Sequence, residues 1–492
     1  MFHGYLLRGT GSNVYNASLA RALAALGHEV HLLCQDRRAH ELDWVEAEPG
    51  PGRVTVHNPD IGRVLPVYVA DEYEGFDALT YDRLTAAQLD HYLAANVAAV
   101  QAVAADHPPD IALANHLVMG PAIVARALGG RVPYAVKVHG SALEYTVRPD
   151  PDRFLPYARE GLEQAGAVLV GSRHTAESLW EVVGLDDLPA KTRLGPPGVD
   201  TAAFRPRPAG EAARALEALA TRLEGAEAAS WGGDAGAAAA LHRLDPSRHQ
   251  IVSFVGKLIV SKGVDLLLAA WPLVHREVPD AALVIVGFGE YRTGVERLRD
   301  ALAAGDLDGA REVARRGREL EGGAPGELTY LREFLDGTGD AYARAAGPAM
   351  RSVSFTGRLE HGDLPDLLCS CRAQVVPSTF PEAFGMVAAE AAACGALPVA
   401  ANHSGLAEVA RTFAGAVDVA VARLLTFDRG PHAVGDLADR LVAWLRMDPA
   451  DRDRATAALA RTAHERYSWE GVARGVVAAA RGRLDDLPEP AA

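Results

Sequence analysis

Two series of short apolar segments, each followed by a helical pattern, constrain the fold of this 492-residue chain more than any other feature. The first series contains strand candidates at residues 30–34, 111–114, 134–138 and 167–171. A capped helical pattern, SNVYNASLARALAALG, precedes the first of them. Strands that alternate with helices form parallel βαβ units, with helices on both faces of the sheet. The first series therefore predicts an α/β domain with a parallel sheet.

The second series comprises five segments: HQIVSFVGKL, AALVIVGFGE, RSVSFTGRL, AQVVPS and ALPVAAN. A stretch rich in proline and glycine, LGPPGVDTAAFRPRP, separates the two series and is suited to a linker. We therefore predict an amino-terminal domain at residues 1–195, a second domain at 196–460, and a carboxy-terminal helix and tail at 461–492. Two such sheets in tandem would leave a cleft between the carboxyl ends of their strands, where ligands bind in α/β folds.

Three segments depart from this alternation. No strand of the expected length precedes Gly4, so the first strand is either very short or lacks part of its amino end. Residues 208–247 and 298–347 are rich in alanine, arginine and glutamate, and each contains a glycine-rich stretch. We predict that both segments are helical insertions in the second domain.

The composition argues against several classes of protein. Hydrophobic residues make up 49% of the chain and charged residues 23%, as in soluble globular proteins. The formal net charge of -15 argues against nucleic-acid binding and disfavours docking on anionic lipid. No apolar run reaches the ~20 residues of a membrane span, and the first residues do not resemble a signal peptide. Since the four cysteines form no CxxC pair, they fit a reducing compartment, and we expect a cytoplasmic protein.

The stretch PSTFPEAFGMVAAEAAACGALPVA places Glu382 and Glu390 eight positions apart, on either side of Phe384, Gly385 and Met386. A helix that begins near Phe384 would expose free N–H groups in its first turn, which attract an anion. Eight helical residues rise by ~12 Å, more than the ~5–9.5 Å between paired carboxylates in glycosidases. The two glutamates therefore suit the two ends of an elongated ligand with an anionic middle, such as a nucleotide-sugar. The alternative is a capping glutamate and a solvated one, although Glu390 lies in an apolar segment and a buried carboxylate needs a partner.

This stretch resembles the signature of the retaining GT-B glycosyltransferases in the large family 4, glycosyl transferases group 1. Four further segments resemble the same family in the same order: the first helix GSNVYNASLARALAALGHEV, the linker PPGVDTAAFRP, the basic loop FVGKLIVSKGVDLLLAA and the base-side loop SFTGRL. The resemblance extends over both domains except the two insertions. It implies a GT-B fold, that is, two Rossmann-like domains whose parallel sheets face a central cleft, with the donor held chiefly by the second domain.

The resemblance also implies contacts with the donor. Glu382 would meet hydroxyls of the donor sugar and Glu390 the ribose, and the backbone at residues 384–386 would meet sugar and phosphate. Lys257 and Lys262 would flank the diphosphate and stabilise the charge that develops as the nucleotide leaves. The family more often has arginine at the first of these positions, and lysine cannot make the bidentate hydrogen bonds of a guanidinium. The alternative for each lysine is a surface residue beside a glycine turn.

His139 ends the apolar run YAVKVHG, so it would lie at the carboxyl end of a parallel strand. The resemblance implies that this histidine lies near the reacting sugar, with Ser141 and Glu144 on the acceptor side. The alternative is a structural histidine with a buried partner.

Gly9 and Gly11 precede the first helix but fail the dinucleotide fingerprint, because the third glycine position is a valine. In the family such a loop approaches the donor phosphates or the acceptor; an ordinary tight turn is the alternative.

Several other positions match the family less specifically. Arg358 and Leu359 match the part that packs against the base, and Trp469 matches a position that we interpret as packing. Weaker candidates near the sugar and phosphates are Gly287, Gly289, Ser404 and Gly405.

The resemblance thus implies transfer of a hexosyl group from a nucleotide diphosphate sugar to an acceptor hydroxyl, with retention of configuration. His139, Lys262 and Glu382 would be catalytic. The sequence contains no spaced cluster of metal ligands, so we predict no metal and no other cofactor. The acceptor stays open among a small metabolite, a saccharide and a lipid-linked sugar. The alternatives are another enzyme of this fold, such as a sugar-nucleotide epimerase, and a non-catalytic nucleotide-sugar binding protein.

Overall fold

The computed structural model describes residues 1–9, 11–69, 73, 75–225 and 233–490. The chain divides into two compact units. Unit 1 consists of Met1–Gly198 together with Tyr467–Ala492, and unit 2 consists of Val199–Arg466.

Unit 1 begins as an alternation of helices and strands. Its helices and strands before Gly198 are, in chain order, α1 (Ser12–Ala25), β1 (Val30–Leu33), β2 (Val54–His57), β3 (Val64–Val67), β4 (Asp77–Thr80), α2 (Ala86–Asp106), β5 (Ala112–Asn115), α3 (Gly120–Leu128), β6 (Tyr134–Lys137), α4 (Pro151–Glu163), β7 (Ala167–Val170), α5 (Arg173–Val183), α6 (Leu188–Lys191) and β8 (Thr192–Leu194).

Unit 2 follows with a second alternation. Its helices and strands are α7 (Ala209–Gly225), α8 (Ala237–His242), β9 (Gln250–Val255), α9 (Val264–Glu277), β10 (Ala281–Val286), α10 (Arg292–Ala304), α11 (Leu307–Arg316), α12 (Thr329–Asp336), α13 (Asp340–Arg351), β11 (Val353–Gly357), α14 (Leu364–Leu368), β12 (Cys371–Val376), α15 (Met386–Ala393), β13 (Leu397–Ala401), α16 (Ser404–Ala414), α17 (Val419–Ala422), β14 (Thr426–Phe427), α18 (Ala433–Leu445) and α19 (Pro449–Arg466). The chain then returns to unit 1 as α20 (Trp469–Ala480).

The main sheet of unit 1 is parallel and contains all four strands predicted for the first series. β5, β6, β7 and β8 pair in that order, and β1 pairs with β2. The first residues join these two parts, because Phe2 forms parallel bridges to both Leu33 and Ala114. The Phe2 amide donates to Leu113 O at 2.8 Å, and the Leu33 amide donates to Met1 O at 2.9 Å. A very short first strand, one of the two alternatives from the sequence, therefore lies between β1 and β5.

Both faces of this sheet are buried, as the parallel arrangement requires. Neighbouring residues of one strand belong to different hydrophobic clusters, as Ala135 and Val136 of β6 do. The face that contains Ala135 is covered by α1 and by α20, whose Val476 and Val477 belong to the same cluster. Side chains in a strand point alternately to opposite faces, so two apolar clusters on one sheet follow from continuous apolar strands.

The sheet of unit 2 has six parallel strands in the order β11, β10, β9, β12, β13, β14. The five segments of the second series are confirmed as strands. β14 was not predicted, because two residues show no periodicity. β9 and β12 lie at the centre, so the loops that follow them emerge side by side at the carboxyl edge of the sheet.

Helices occupy the described parts of both segments that were predicted as insertions. In the first of them, residues 226–232 lie outside the described residues. The second forms α10 to α13 between β10 and β11. A carboxylate oxygen of Glu321, between α11 and α12, accepts a hydrogen bond from the Val260 amide at 2.7 Å. This insertion therefore fixes the loop that follows β9.

Trp469 packs at the start of α20, within unit 1. Its ring meets Tyr15 edge to face, with 5.4 Å between centroids. A Cβ atom added to Gly198 would lie 2.6 Å from the indole. These contacts fit the packing interpretation of Trp469. Among the described residues, no helix combines the length and the apolar character that a membrane crossing requires.

Replacing Gly161 with alanine should destabilise the protein by about 1–3 kcal/mol, the usual cost of overpacking. Gly161 lies in α4, where an added Cβ atom would be 2.3 Å from the Cβ of Pro121 in α3. Urea unfolding measures the loss. Gly475→Ala in α20 is the matched control, since its Cβ would meet Leu487 Cδ2 at an ordinary 3.4 Å. The control should be neutral or stabilising by up to ~1 kcal/mol; equal losses in both variants would contradict the packing argument.

Candidate functional site

Three neighbouring strands of unit 2 place the candidate site at the carboxyl edge of its sheet. The loop after β9 contains a short helical turn, Val260–Lys262. The loop after β12 contains Ser378 and Glu382. The loop after β13 contains His403, and Ser404 begins α16 directly after it. Since β9, β12 and β13 are adjacent, these side chains converge, although they are up to 142 positions apart along the chain (262 to 404).

The central contact of this site is an ion pair between Lys262 and Glu382. The Lys262 ammonium donates a hydrogen bond to Glu382 Oε1. The Ser378 hydroxyl donates to the same oxygen at 2.6 Å. Burial opposes ionisation of this carboxyl, but the neighbouring ammonium and hydroxyl hold the pKa of Glu382 below its usual range. The carboxylate is therefore charged at neutral pH, and it holds the ammonium at the strand ends.

A set of hydrogen bonds connects the loop after β12 to the residues that follow β13. The Glu382 amide donates to Ser404 Oγ at 2.9 Å, and the Gly405 amide donates to Glu382 O at 2.9 Å. His403 Nε2 donates to Ser378 O at 2.7 Å, which leaves its Nδ1 to accept from the Ser404 hydroxyl at 3.1 Å. Ser404 adopts a positive φ of 51° to make these contacts. Glu382 is thus fixed through both its side chain and its backbone.

Glycines allow the site loops to approach each other backbone to backbone. A Cβ atom on Gly263, whose φ is 65°, would lie 2.0 Å from the carbonyl oxygen of Pro377. A Cβ atom on Gly405 would lie 2.7 Å from the peptide between Ala383 and Phe384. Larger residues would push the loops apart, so these glycines set the separation between Lys262 and its partner.

The helix of the signature stretch begins later than predicted. α15 starts at Met386, and Gly385 precedes it as the cap residue in a left-handed conformation, with φ 115°. Phe384 lies before the helix with its side chain buried. The sequence placed the start near Phe384, because it could not reveal that Gly385 turns the backbone before the first helical residue. The free N–H groups of the first turn therefore begin at Met386.

Glu390 lies in the middle of α15 and is buried, with 2% of its surface exposed. Its Oε1 accepts a hydrogen bond from His361 Nε2 at 2.7 Å. Burial alone would lower the pKa of His361, but the adjacent carboxylate raises it above its usual value. The sequence predicted that Glu390 needs a partner but did not find His361. The ribose contact of Glu390 stays a prediction.

The other predicted donor residues of unit 2 lie on the loops after β9, β10 and β11. The Lys257 ammonium lies 5.9 Å from the centre of the Phe288 ring. A Cβ atom on Gly287 would lie 1.9 Å from Gly256 O, so this glycine is required for packing between two loops. Gly289 is equally tight against Leu258, whose amide donates to Phe288 O at 2.7 Å.

Arg358 and Leu359 follow β11, at the end of the sheet. The Arg358 guanidinium pairs with Glu360 at 2.8 Å. Leu359 is buried, with 7% of its surface exposed. The base contact predicted for these two residues stays a prediction.

In unit 1, His139 lies just beyond the carboxyl end of β6, as predicted. Its Nε2 lies 2.9 Å from Asn115 Oδ1, and Asn115 Nδ2 donates to Phe2 O at 3.1 Å. The Tyr15 ring meets His139 edge to face at 4.9 Å. The pKa of His139 lies well below its usual value, chiefly because the ring is buried and secondly because His116 is close. The imidazole is therefore neutral at neutral pH.

Two further histidines at the same edge were not predicted. His116 follows β5 with φ 70°, and its ring lies 5.7 Å from His3 and 4.9 Å from His139. Burial lowers the pKa of His3 to about 4 and that of His116 well below its usual value. Among the described residues, neither ring nitrogen of His116 has a hydrogen-bond partner. Its position directly after a predicted strand, like that of His139, is the signal that could have identified it.

The predicted acceptor residues lie in the loop and π-helical turn after His139. Ser141 is half-buried there. The Glu144 carboxylate accepts from the Ser178 hydroxyl at 2.9 Å and pairs with Arg148 at 3.3 Å. Glu144 is thus bound to groups of its own unit.

The glycine loop before α1 also lies in unit 1. Gly9 and Gly11 adopt positive φ values of 104° and 55°, and Gly11 is the cap residue of α1. Thr10, between them, lies outside the described residues.

Comparison with known families identifies the family of this chain. Residues 10–198 match the family model described as glycosyl transferase 4-like domain. Residues 348–447 match the one described as glycosyl transferases group 1. The chain is a group 1 glycosyltransferase.

Curated relatives of this glycosyltransferase extend over nearly its whole length. It is 29% identical over 486 residues to a D-inositol 3-phosphate glycosyltransferase from Frankia alni, with 96% of this chain and 95% of the relative covered. It is 26% identical over 485 residues to the protein of the same name from Mycobacterium bovis, with 97% of this chain and 79% of the relative covered.

Solved structures show the same fold. Sucrose-phosphate synthase from Thermosynechococcus elongatus superposes with a TM-score of 0.59 at 18% identity, covering 98% of this chain and 96% of that one. HepE from Anabaena, in complex with UDP and glucose, superposes with a TM-score of 0.57 at 16% identity, covering 96% and 97%. The predicted GT-B fold of this glycosyltransferase is thus confirmed.

Replacing Glu390 with glutamine should destabilise the protein more at low pH than at high pH. The pKa of His361 is raised in the folded state. Its contribution is therefore full below the unfolded value of ~6.5 and is lost as the pH rises through the raised value. Urea unfolding at about pH 6 and about pH 9 measures the difference between wild type and variant. Adding the same replacement to a His361→Gln variant is the control, and its effect should be nearly independent of pH. A pH-independent effect in the single variant would contradict the pairing.

Proposed function

We propose that this glycosyltransferase moves a hexosyl group from a nucleoside diphosphate sugar to an acceptor hydroxyl with retention of configuration. The observation that carries the proposal is the Lys262–Glu382 ion pair at the carboxyl edge of the unit 2 sheet. An ammonium fixed at this edge suits a ligand with an anionic middle, because charged ligands bind where loops leave the strands. The family to which the chain belongs supplies the reaction class.

The reaction breaks the bond between the anomeric carbon and the diphosphate oxygen, and the acceptor oxygen bonds to the same carbon. The leaving diphosphate gains negative charge in the transition state. Lys262 stabilises that charge, and Lys257 adds a second cation from the start of the same loop. The acceptor proton passes to the departing diphosphate oxygen, so the acceptor attacks the face from which the diphosphate leaves. We further propose that no divalent cation is needed, because the two ammonium groups neutralise the diphosphate.

Glu382 is proposed to act in two ways. Its carboxylate fixes the Lys262 ammonium, and its remaining oxygen is available to hydroxyls of the donor sugar. His139 is proposed to contact the reacting sugar as a neutral imidazole, a form that hydrogen-bonds to hydroxyls without attracting the diphosphate. UDP-glucose is the first donor to test, because the HepE structure was determined with UDP and glucose. D-inositol 3-phosphate is the first acceptor to test, because two relatives are named for it.

Replacing Lys262 with methionine should lower kcat by about 10²–10³-fold, as loss of one charge-stabilising donor does in other enzymes. Lys262→Arg is the matched control and should retain more activity, since it keeps the cation. Steady-state kinetics on the active donor measure both variants, and thermal unfolding shows that each remains folded. If Lys262→Met transferred sugar at the wild-type rate, the proposed role of Lys262 would be wrong.

Transfer from an α-linked donor should give an α-linked product, because one displacement on the same face retains configuration. The anomeric coupling in the proton NMR spectrum of the product measures this directly. A β-linked product would exclude retention. Consumption of the donor without any acceptor would favour the epimerase instead, and binding without turnover would favour a non-catalytic protein.

A further inference from the structure

A cluster of one carboxylate and three imidazoles lies in unit 1, outside the site described above. Its members are Glu29, His31, His57 and His107. Glu29 and His31 lie at the amino end of β1, and His107 caps the carboxyl end of α2, shortly before β5 begins. Glu29, His31 and His107 are therefore at the amino end of these strands and His57 ends β2, whereas His139 follows the carboxyl end of β6.

The potential ligand atoms of this cluster lie close together. His31 Nε2 is 2.9 Å from Glu29 Oε1, and His107 Nδ1 is 4.0 Å from the same oxygen. The ligand atoms of all three residues lie within 4.8 Å of one another. The rings of His31 and His107 are stacked, with 4.4 Å between centroids. Three potential ligands from two separate parts of the chain thus lie close together.

We propose that Glu29, His31 and His107 bind a Zn²⁺ ion. Two imidazoles and one carboxylate form an established zinc ligand set, with water as the fourth ligand. Zinc bonds of ~2.0–2.2 Å in a tetrahedron require ligand atoms roughly 3.4 Å apart. The His107 ring therefore needs to turn out of its stack on His31 and bring Nδ1 closer by roughly 1 Å. Its side chain is 36% exposed, which leaves room on the solvent side. The hard cations Mg²⁺ and Ca²⁺ are disfavoured, because they prefer oxygen ligands.

His57 would orient the His31 ring in such a site. Its Nε2 lies 2.9 Å from His31 Nδ1. Without metal, a proton lies between His31 Nε2 and the Glu29 carboxylate. When the ion takes that position, the remaining ring proton of His31 lies on Nδ1 and is donated to His57. A histidine ligand usually donates its second N–H in this way, which fixes the ring orientation.

The ion would tie the end of α2 to the start of β1. The three ligands also line a cavity of about 480 Å³, whose other walls include Leu23, Val103 and Leu128. A cross-link at the rim of this cavity stabilises the folded state, because the ligands are brought together only by folding. The site is independent of the proposed transfer, since none of its residues belongs to the candidate site.

Calorimetric titration with Zn²⁺ tests the proposal. The purified full-length protein is first treated with a chelator to remove bound metal. We expect one tight equivalent and a higher melting temperature with Zn²⁺ but not with Mg²⁺. His107→Ala should abolish both effects. His57→Phe, which keeps an aromatic ring but removes the acceptor, should weaken binding about 10–100-fold. His432→Ala, an exposed histidine of unit 2, is the matched control and should bind as wild type does.

Two results would overturn the proposal. One is the absence of a tight equivalent in the wild-type protein. The other is equal binding by His107→Ala and His432→Ala, which would assign the zinc to scattered surface histidines. Sugar transfer by the zinc-free protein, measured at a temperature where it remains folded, should match that of the zinc-bound protein.

Discussion

Backbone-to-backbone packing of three loops is the constraint on which the candidate site of unit 2 depends. The carbonyl of Pro377 occupies the space that a side chain at Gly263 would need, and Gly405 is pressed equally closely against the peptide after Ala383. These approaches bring the turn that ends at Lys262 against the loop that contains Glu382. A methyl group at either glycine would clash with these backbone atoms, so the loops would have to move apart. The ion pair is therefore a consequence of loop geometry, and the loop geometry is a consequence of glycine.

Glu382 and Glu390 are held by partners of different kinds. Glu382 is held by an ammonium and a hydroxyl, whose effect on its pKa exceeds that of burial. Glu390 is held by one imidazole, which gains a proton more readily because the carboxylate is there. The pKa of the Glu382 carboxyl is lowered, whereas in the second pair it is the pKa of the His361 imidazole that is raised. The charge on the partner of Glu390 therefore depends on the protonation of His361.

The sequence predicted the fold well, because continuous apolar strands and glycine turns are local signals. All nine predicted strands of the two series are present, and only their bounds shift, by a few residues at most. The site was predicted less completely. Lys262 and Glu382 lie on recognisable loops, but His361 and His403 reach their partners through contacts 25 to 29 positions away, which periodicity cannot reveal. The start of α15 was wrong by two residues, because Gly385 adopts a left-handed conformation and packs closely against Leu406, which is distant in sequence.

The carboxyl edge of the unit 1 sheet has the opposite electrostatic character. His3, His116 and His139 lie within ring contact. Burial lowers the pKa of all three imidazoles, and neighbouring histidines lower it further at His116 and His139, so a second ring proton is disfavoured. Lys137, the last residue of β6, is also buried; burial lowers its pKa to about 7, and its ammonium donates to Gly195 O at 2.5 Å. Neutral imidazoles can both donate and accept hydrogen bonds, so this edge suits a hydroxyl-bearing ligand. Unit 2 offers a fixed cation for a phosphate, and unit 1 offers uncharged hydrogen-bonding groups for a hydroxyl. A glycosyltransferase that moves a sugar from a nucleotide to a hydroxyl needs a surface of each kind, one for the anionic leaving group and one for the acceptor hydroxyl.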